Sequence, residues 1–429
     1  MTTCRPQPLF YQSSKCVAQY LEANIRFQLS LRCPGFRAVH QTATLKIHDL
    51  KMRPNDFEIN GTVYIIGVIQ KYTYTPTPEF VKVRNASGGI PHDLDRYGIR
   101  EEWMYRGAGK VKQLEEELKL MVGDRGLDLA IEEKQWEISA YRLRISNLEP
   151  PFTQYLQLAI TTGTVQKVER FQYDKSQKIA RDYILRKMFG VAERRVRIRN
   201  LQIGQDDFDP HLMVHLQRVA NGLYQDISQK DGPYNAFQMN RCDDQMEPLL
   251  PVPEGKLEIG EMLVTGNLKN GLASIKTSLS ETNAPFKKIT CVYQPLPDDP
   301  VVQNAEFLCV VGYGTLKVFS GRENNRIHLA ECDVMPRDFT DLLNICTKVG
   351  QFYSIGFQHQ TTVEEFFEMF RNLPGADTGE SDKSRLSQIP ECIIIPMADE
   401  IEINVYCDTR FIVNIQVQSR GHAQVKQLF

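Results

Sequence analysis

No two cysteines of this chain stand two residues apart, although ten are scattered along it. That removes the C-x-x-C spacing on which zinc ribbons and thioredoxin-like redox sites are built. Cys291, Cys309 and Cys332 sit instead among apolar, strand-like residues, where a reduced thiol acts as a small hydrophobe. A reducing, intracellular compartment, cytoplasmic or nuclear, is the expectation. Long apolar runs are missing too. Stretches such as Tyr64 to Ile69 and Cys392 to Ile395 fall far short of the roughly 20 residues that a membrane helix needs. The opening MTTCRPQPLFYQSSK lacks the apolar stretch of a secretory signal. A surplus of either charge is also absent: 51 basic against 53 acidic residues leave a formal −2, which gives no overall attraction to nucleic acid or to a membrane. Neither is expected as a partner. Finally, no G-x-x-x-x-G-K-[ST], G-x-S-x-G or H-E-x-x-H sequence occurs, so three common enzymatic arrangements are lost.

What is present is the composition of a folded protein. The chain is 42% hydrophobic and 24% charged, and its 429 residues suffice for two or three domains. Residues 8–40 predict two short helices. Ser13 is placed to cap the first, which sets Val17, Tyr20 and Leu21 on one face, and Ile25, Phe27, Leu29 and Leu31 carry the apolar content to Cys33-Pro34, where proline disfavours further helix. Helices this small cannot build a core, so they must pack on the next domain or on a partner. From residue 43 the apolar period changes to two. In FEINGTVYIIGV, Asn60-Gly61 joins two β-rich runs, the strongest short-range signal for a tight hairpin. Residues 110–148 return to helical spacing through Val111, Leu114, Leu118 and Met121, then Leu127, Ile131, Ile138, Tyr141, Ile145 and Leu148. Pro150-Pro151 ends that stretch and reads as a domain boundary.

Beyond it, YLQLAITT and TVQKVERFQY read as paired strands before a helix over 176–189. One apolar spacing then recurs three times, as Val196-x-Ile198-x-x-Leu201-x-Ile203, Leu257-x-Ile259-x-x-Met262-x-Val264 and Ile327-x-Leu329-x-x-Cys332-x-Val334. With further strands at 286–293, 306–311 and 352–357 and helices at 337–347 and 361–371, this predicts an irregular leucine-rich-repeat-like strand-helix array. The hairpin IEINVYCDTRFIVNIQV would close it, because a solenoid end needs a cap. The expected class is α+β: short N-terminal helices at 1–40, a β-hairpin and helical region at 41–150, and the α/β solenoid at 151–429.

Four stretches invite a functional reading. RNASGGIPHDLDRYGIREE, residues 84–102, has the make-up of a metal or catalytic loop, yet His92, Asp93 and Asp95 lack a third ligand at a diagnostic spacing. Gly88-Gly89, Pro91 and the two aspartates suit a structural turn instead. His211 and His215 stand four apart, a zinc-compatible spacing on a helix, but the base of the zinc-protease motif is missing. A metal-dependent hydrolase built on His211 and His215, or on the His92 loop, is the rival to a non-enzymatic reading. Gly312-Tyr-Gly314 lacks the third glycine of a phosphate loop and reads as a hairpin turn. Residues 167–199 carry eleven Lys or Arg against four Asp or Glu, but Arg195, Arg197 and Arg199 alternate with Val196 and Ile198 as on a half-buried strand, without the aromatic interleaving that stacks bases.

Read in order, FYQSSKCVAQYLEANIRFQLSLRCP, KIHDLKM, FEINGTVYIIGV, VRNASGGIPHDLDRYGI and the charged helix resemble the nematode-specific F-box C family, in which a short F-box-like start precedes a nematode domain of unknown function. The resemblance implies a substrate receptor of a cullin-RING (SCF-type) ubiquitin ligase, whose N-terminal helices grip the adaptor subunit and whose solenoid binds an unidentified protein target. The adaptor face would then be Val17, Tyr20, Leu21, Phe27 and Leu31. Gly88, Gly89, Asp93, Asp95, Tyr97 and Gly98 match a recurring framework stretch of the family that carries no known catalytic role. No cofactor is implied. A scaffold that has lost ligase binding would share the same fold.

Overall fold

The structure is a computed structural model that describes residues 11–53, 56–100, 108–121, 127–190, 194–204, 256–280, 283, 285–292, 296–314, 318–319, 322, 324–332, 340–357, 360–380, 391–397, 400–409, 412–421 and 424–425. The chain is α+β and forms two compact units, Met1–Val196 with Pro251–Lys256, and Arg197–Leu250 with Leu257–Phe429. Among the described residues no helix is long and apolar enough to cross a membrane.

In the first unit, strands β1 (Leu45–Met52), β2 (Asp56–Ile59), β3 (Thr62–Tyr72), β4 (Phe152–Thr162) and β5 (Val165–Gln172) lie side by side in chain order, each antiparallel to the last. The Asn60-Gly61 hairpin forms as the sequence predicts. Ile59 pairs with Thr62, and both turn residues are left-handed, with φ of 48° and 79°. β4 starts directly after Pro150-Pro151 and pairs with β3 along its whole length, from Tyr72↔Phe152 to Thr62↔Thr162. The two prolines therefore do not mark a domain boundary; the helix before them has already closed, with Leu148 N–H donating to Leu143 O at 3.0 Å, and the next strand of the same sheet follows them.

The N-terminal segment holds three helices rather than the expected two: α1 (Tyr11–Tyr20), α2 (Ala23–Arg32) and α3 (Pro34–Thr42). Pro34 does end α2, since the Cys33 N–H closes back on Leu29 O at 2.8 Å, but it also opens α3 from the first-turn position, where a missing N–H costs nothing. α4 (Glu79–Ala86), α5 (Ala108–Met121), α6 (Asp128–Ile145) and α7 (Gln177–Phe189) complete the unit. Leu114 of α5 and Ile138, Ala140 and Tyr141 of α6 enclose Tyr97 and Ile99 in one apolar cluster. Ile145 and Leu148, at the end of the apolar series, turn outward.

In the second unit, β6 (Arg195–Ile203, from Arg197) precedes β7 (Lys256–Val264, from Leu257), β8 (Lys288–Val292), β9 (Leu308–Gly314), β10 (Arg326–Cys332) and β11 (Phe352–Gly356). From β8 to β11 each strand is parallel to the one before it, with α8 (Leu268–Lys276), α9 (Pro300–Gln303) and α10 (Thr340–Ile345) in the returns. The repeated spacing falls on β6, on β7 and, as far as Cys332, on β10; Val334 lies outside the described residues. Its apolar positions Val196, Ile198, Leu201 and Ile203, and Leu257, Ile259, Met262 and Val264, are all buried. At the double step of β10 the ladder is irregular: Leu329 pairs with Val310 and Glu331 with Tyr313, so the extra residue lies on β9. Gly260 of β7 lies so near β6 that a Cβ would stand 2.9 Å from Arg199 O. Gly312-Tyr-Gly314 is no hairpin turn; Tyr313 and Gly314 pair with Glu331 and Cys332 at the end of β9.

The terminal hairpin caps the parallel run. β15 (Ile412–Ser419) pairs antiparallel with β11, followed outward by β14 (Ile401–Thr409), β13 (Cys392–Pro396), β12 (Asp377–Glu380) and β16 (Gln424–Val425). α11 (Gln360–Arg371) buries Val363, Phe366, Phe367 and Phe370, one helical face.

Candidate protein-interaction surface

A short helix in a small bundle ordinarily turns its aliphatic residues inward. α2 does the reverse. Its buried positions are Ala23, Asn24, Arg26, Phe27 and Ser30, while Ile25, Leu29 and Leu31 face solvent, Leu31 at 62% exposure. Each inward polar side chain makes hydrogen bonds, although Arg26 Nε is buried without a partner. Glu22 caps the helix by accepting the N–H groups of Asn24 and Ile25 at 2.8 and 3.2 Å. The Asn24 amide donates to Ile59 O at 2.9 Å and accepts the Tyr64 hydroxyl at 2.8 Å, and Ser30 Oγ donates to Phe27 O.

Beneath α2 two buried cations lie close together, with no carboxylate among their hydrogen-bond partners in the described residues. Arg26 donates to the carbonyls of Thr44 at 2.7 Å and Ala43 at 3.1 Å, just past the end of α3. Arg194 donates to Ala43, and also to Met188 and Phe189 in the last turn of α7, at 3.1–3.2 Å. Two helix C-termini thus converge, and two buried guanidinium groups fill the place of the donors their last carbonyls lack. Burial lowers Arg26 to about 10 and, with the neighbouring Arg26 charge, Arg194 to about 9. His40 sits between them, 1% exposed, with Nε2 2.9 Å from Met188 O and Nδ1 3.4 Å from Arg194 Nη2. An imidazole with its proton on Nε2 satisfies both contacts. Burial first, and the Arg194 and Arg26 charges next, pull its pKa down to about 3, so it is neutral.

Outside this polar interior several apolar side chains are exposed among polar ones. Val17, Tyr20 and Leu31 of the predicted adaptor face are exposed, Tyr20 at 88%, and Leu21 is half-buried. Phe27 is not part of that face. It is 4% exposed, with its ring 5.6 Å from His40 and 6.2 Å from Phe189. Tyr11, Ile25 and Leu29 are exposed members that sequence reasoning left out, because apolar periodicity points to a core and carries no sign for a helix set the other way round.

The 84–102 stretch, described as far as residue 100, is a scaffold. Gly88, Gly89 and Gly98 have φ of 116°, 101° and 83°. A Cβ on Gly88 would meet Ile65 Cγ2 at 2.6 Å, and one on Gly67 of β3 would meet Gly88 O at 2.5 Å, so this bend presses backbone onto the sheet. Asp95 Oδ1 accepts the N–H groups of Tyr97 and Ile99, both at 2.9 Å. Asp93 Oδ1 accepts Gln177 N, in the first turn of α7, and the Tyr173 hydroxyl, each at 2.8 Å. Tyr97 is buried against α5 and α6. Both aspartates are thereby engaged as acceptors, and no group of three His, Cys, Asp or Glu able to hold a metal occurs among the described residues. His211 and His215 lie outside the described residues.

A groove of about 290 Å³ in the first unit is lined by Tyr72, Phe80, Trp136 and Phe152. Its polar groups are occupied: Trp136 Nε1 donates to the Tyr72 hydroxyl at 2.7 Å, and Glu132 accepts the N–H groups of Glu79 and Phe80 at the start of α4. No family model matches the chain, and neither a curated protein nor a solved structure is significantly similar to it.

Proposed function

We propose that this chain is a non-enzymatic, intracellular protein-binding module, acting as a substrate receptor of a cullin-RING (SCF-type) ubiquitin ligase. The exposed face of the N-terminal helices would dock the adaptor subunit, and the parallel strands of the second unit would carry the surface for a protein target. The observation that supports this reading is the reversed polarity of α2, which leaves Ile25, Leu29 and Leu31 in solvent, with Val17 and Tyr20 of α1 exposed as well. Aliphatic and aromatic side chains held out by helices are the chemistry of a helix-in-groove interface.

The test is co-purification of the full chain with the ligase adaptor subunit. A stable complex is expected, and Ile25→Glu combined with Leu31→Glu should weaken it by at least about tenfold, since apolar anchors dominate such interfaces, while leaving the melting temperature unchanged. Absence of a complex with the wild-type chain overturns the ligase assignment and leaves a binding scaffold without ligase contact.

A further inference from the structure

β5 is the one strand of the first unit with every residue exposed, and among the described residues it pairs only with β4. Its sequence is VQKVERFQ, with Val165, Val168 and Phe171 in solvent. Open edges of this length are templates for strand addition. Which strand would fit follows from the turn. Thr162 pairs with Val165 across a two-residue loop, Gly163-Thr164, and in such hairpins the flanking residues exchange hydrogen bonds. Alternation then commits the amides of Val165, Lys167, Glu169 and Phe171 to β4 and presents those of Gln166, Val168, Arg170 and Gln172 outward.

An antiparallel strand centred on Val168 would find Val168 opposite Val168, in a hydrogen-bonded pair. On one face Lys167 would stand opposite Glu169 and Val165 opposite Phe171; on the other, Gln166 opposite Arg170. Each of these is a stabilising cross-strand combination or a neutral one, and no like charges meet. The edge is therefore complementary to itself. We propose that β5 is the interface of a two-fold dimer in which the β5 strands of two copies of this chain pair antiparallel about Val168. An isologous contact of this kind uses the same patch twice and closes, so it ends at two copies and does not propagate. With one strand from each copy it is smaller than the standard interface of about 1,600 Å², so the dimer is expected to dissociate on dilution.

Sedimentation equilibrium of the full chain over a hundredfold concentration range tests this. The mass should rise from one copy toward two and stop there. Val168→Pro removes an outward N–H without touching the β4 ladder, and should give a monomer with unaltered melting. Lys167→Glu and Glu169→Lys should each weaken self-association at least tenfold by opposing like charges, and an equimolar mixture of the two variants should recover a dimer, because each then faces the other's opposite sign. A wild-type chain that stays monomeric throughout overturns the proposal, including the case in which the edge takes an extended segment of another protein. So does a dimer that survives Val168→Pro, or a mixture of the charge variants that gains nothing over either alone.

Discussion

Replacing His40 by glutamine keeps a side-chain N–H for Met188 O and removes a titration that the native state refuses. The imidazole has an ordinary pKa of 6.5 and is pulled to about 3 by burial and by Arg194 and Arg26. The folded pKa lies below the unfolded one, so between these values the unfolded chain binds the extra proton. Stability from this source is fully present above pH 6.5 and is lost as the pH falls toward 3. At about 1.4 kcal/mol per pH unit, the loss is about 2 kcal/mol at pH 5 and tends to roughly 5 kcal/mol near pH 3. The variant has no such loss. Urea unfolding of both proteins at pH 7.5, 6.0 and 5.0, followed by Trp136 fluorescence in the same unit, separates this effect from the carboxylates, which both proteins share. At pH 7.5 the variant should be the less stable, because it gives up the ring packing on Phe27. The gap should narrow by about 2 kcal/mol, or reverse, at pH 5. Two stability curves that stay parallel from pH 7.5 to 5.0 would refute the reasoning, for they would mean that His40 titrates alike in both states.

Two further substitutions probe the same unit. Arg194→Met withdraws the donor from Phe189 O and weakens the capping of Ala43 and Met188, and should cost roughly 2 kcal/mol in urea unfolding, at 1–3 kcal/mol for each buried group left unpaired; a neutral result would mean that water reaches those carbonyls. Gly67→Ala sets a methyl group 2.5 Å from Gly88 O, which has no room to yield, and should lower stability by about 1–3 kcal/mol. Thermal melting checks it, and an unchanged midpoint would show that the bend over β3 relaxes.

The parts of the fold that the sequence discloses are those whose signal is local. Asn60-Gly61 specifies its turn through φ alone, and the buried repeat on β6 and β7 is visible because strand alternation with one double step maps directly onto the inward side chains. Asp95 and the glycines of 88–98 are likewise legible as a turn, since each acts within a few residues of itself. What stays hidden is set by distant partners. Arg26 and Arg194 look like surface cations in sequence, and only the meeting of α3 and α7 turns them into caps. The same concealment applies to Phe27, which is four residues from Leu31 on the same helix yet is buried while Leu31, in the last turn, is exposed.

The polar underside of α2 also fixes the azimuth of that helix. Turning it about its axis to sink Ile25 and Leu29 would pull Arg26 away from Thr44 and Ala43 and Asn24 away from Ile59 and Tyr64. Each broken contact would leave a buried polar group unsatisfied, at about 1–3 kcal/mol apiece, against the roughly 1.5–3 kcal/mol gained for each aliphatic side chain hidden. With four contacts set against two side chains, the balance holds the helix where it is. The guanidinium of Arg26 thereby works as a detent: it keeps a greasy surface presented that the hydrophobic effect, left to itself, would roll out of sight.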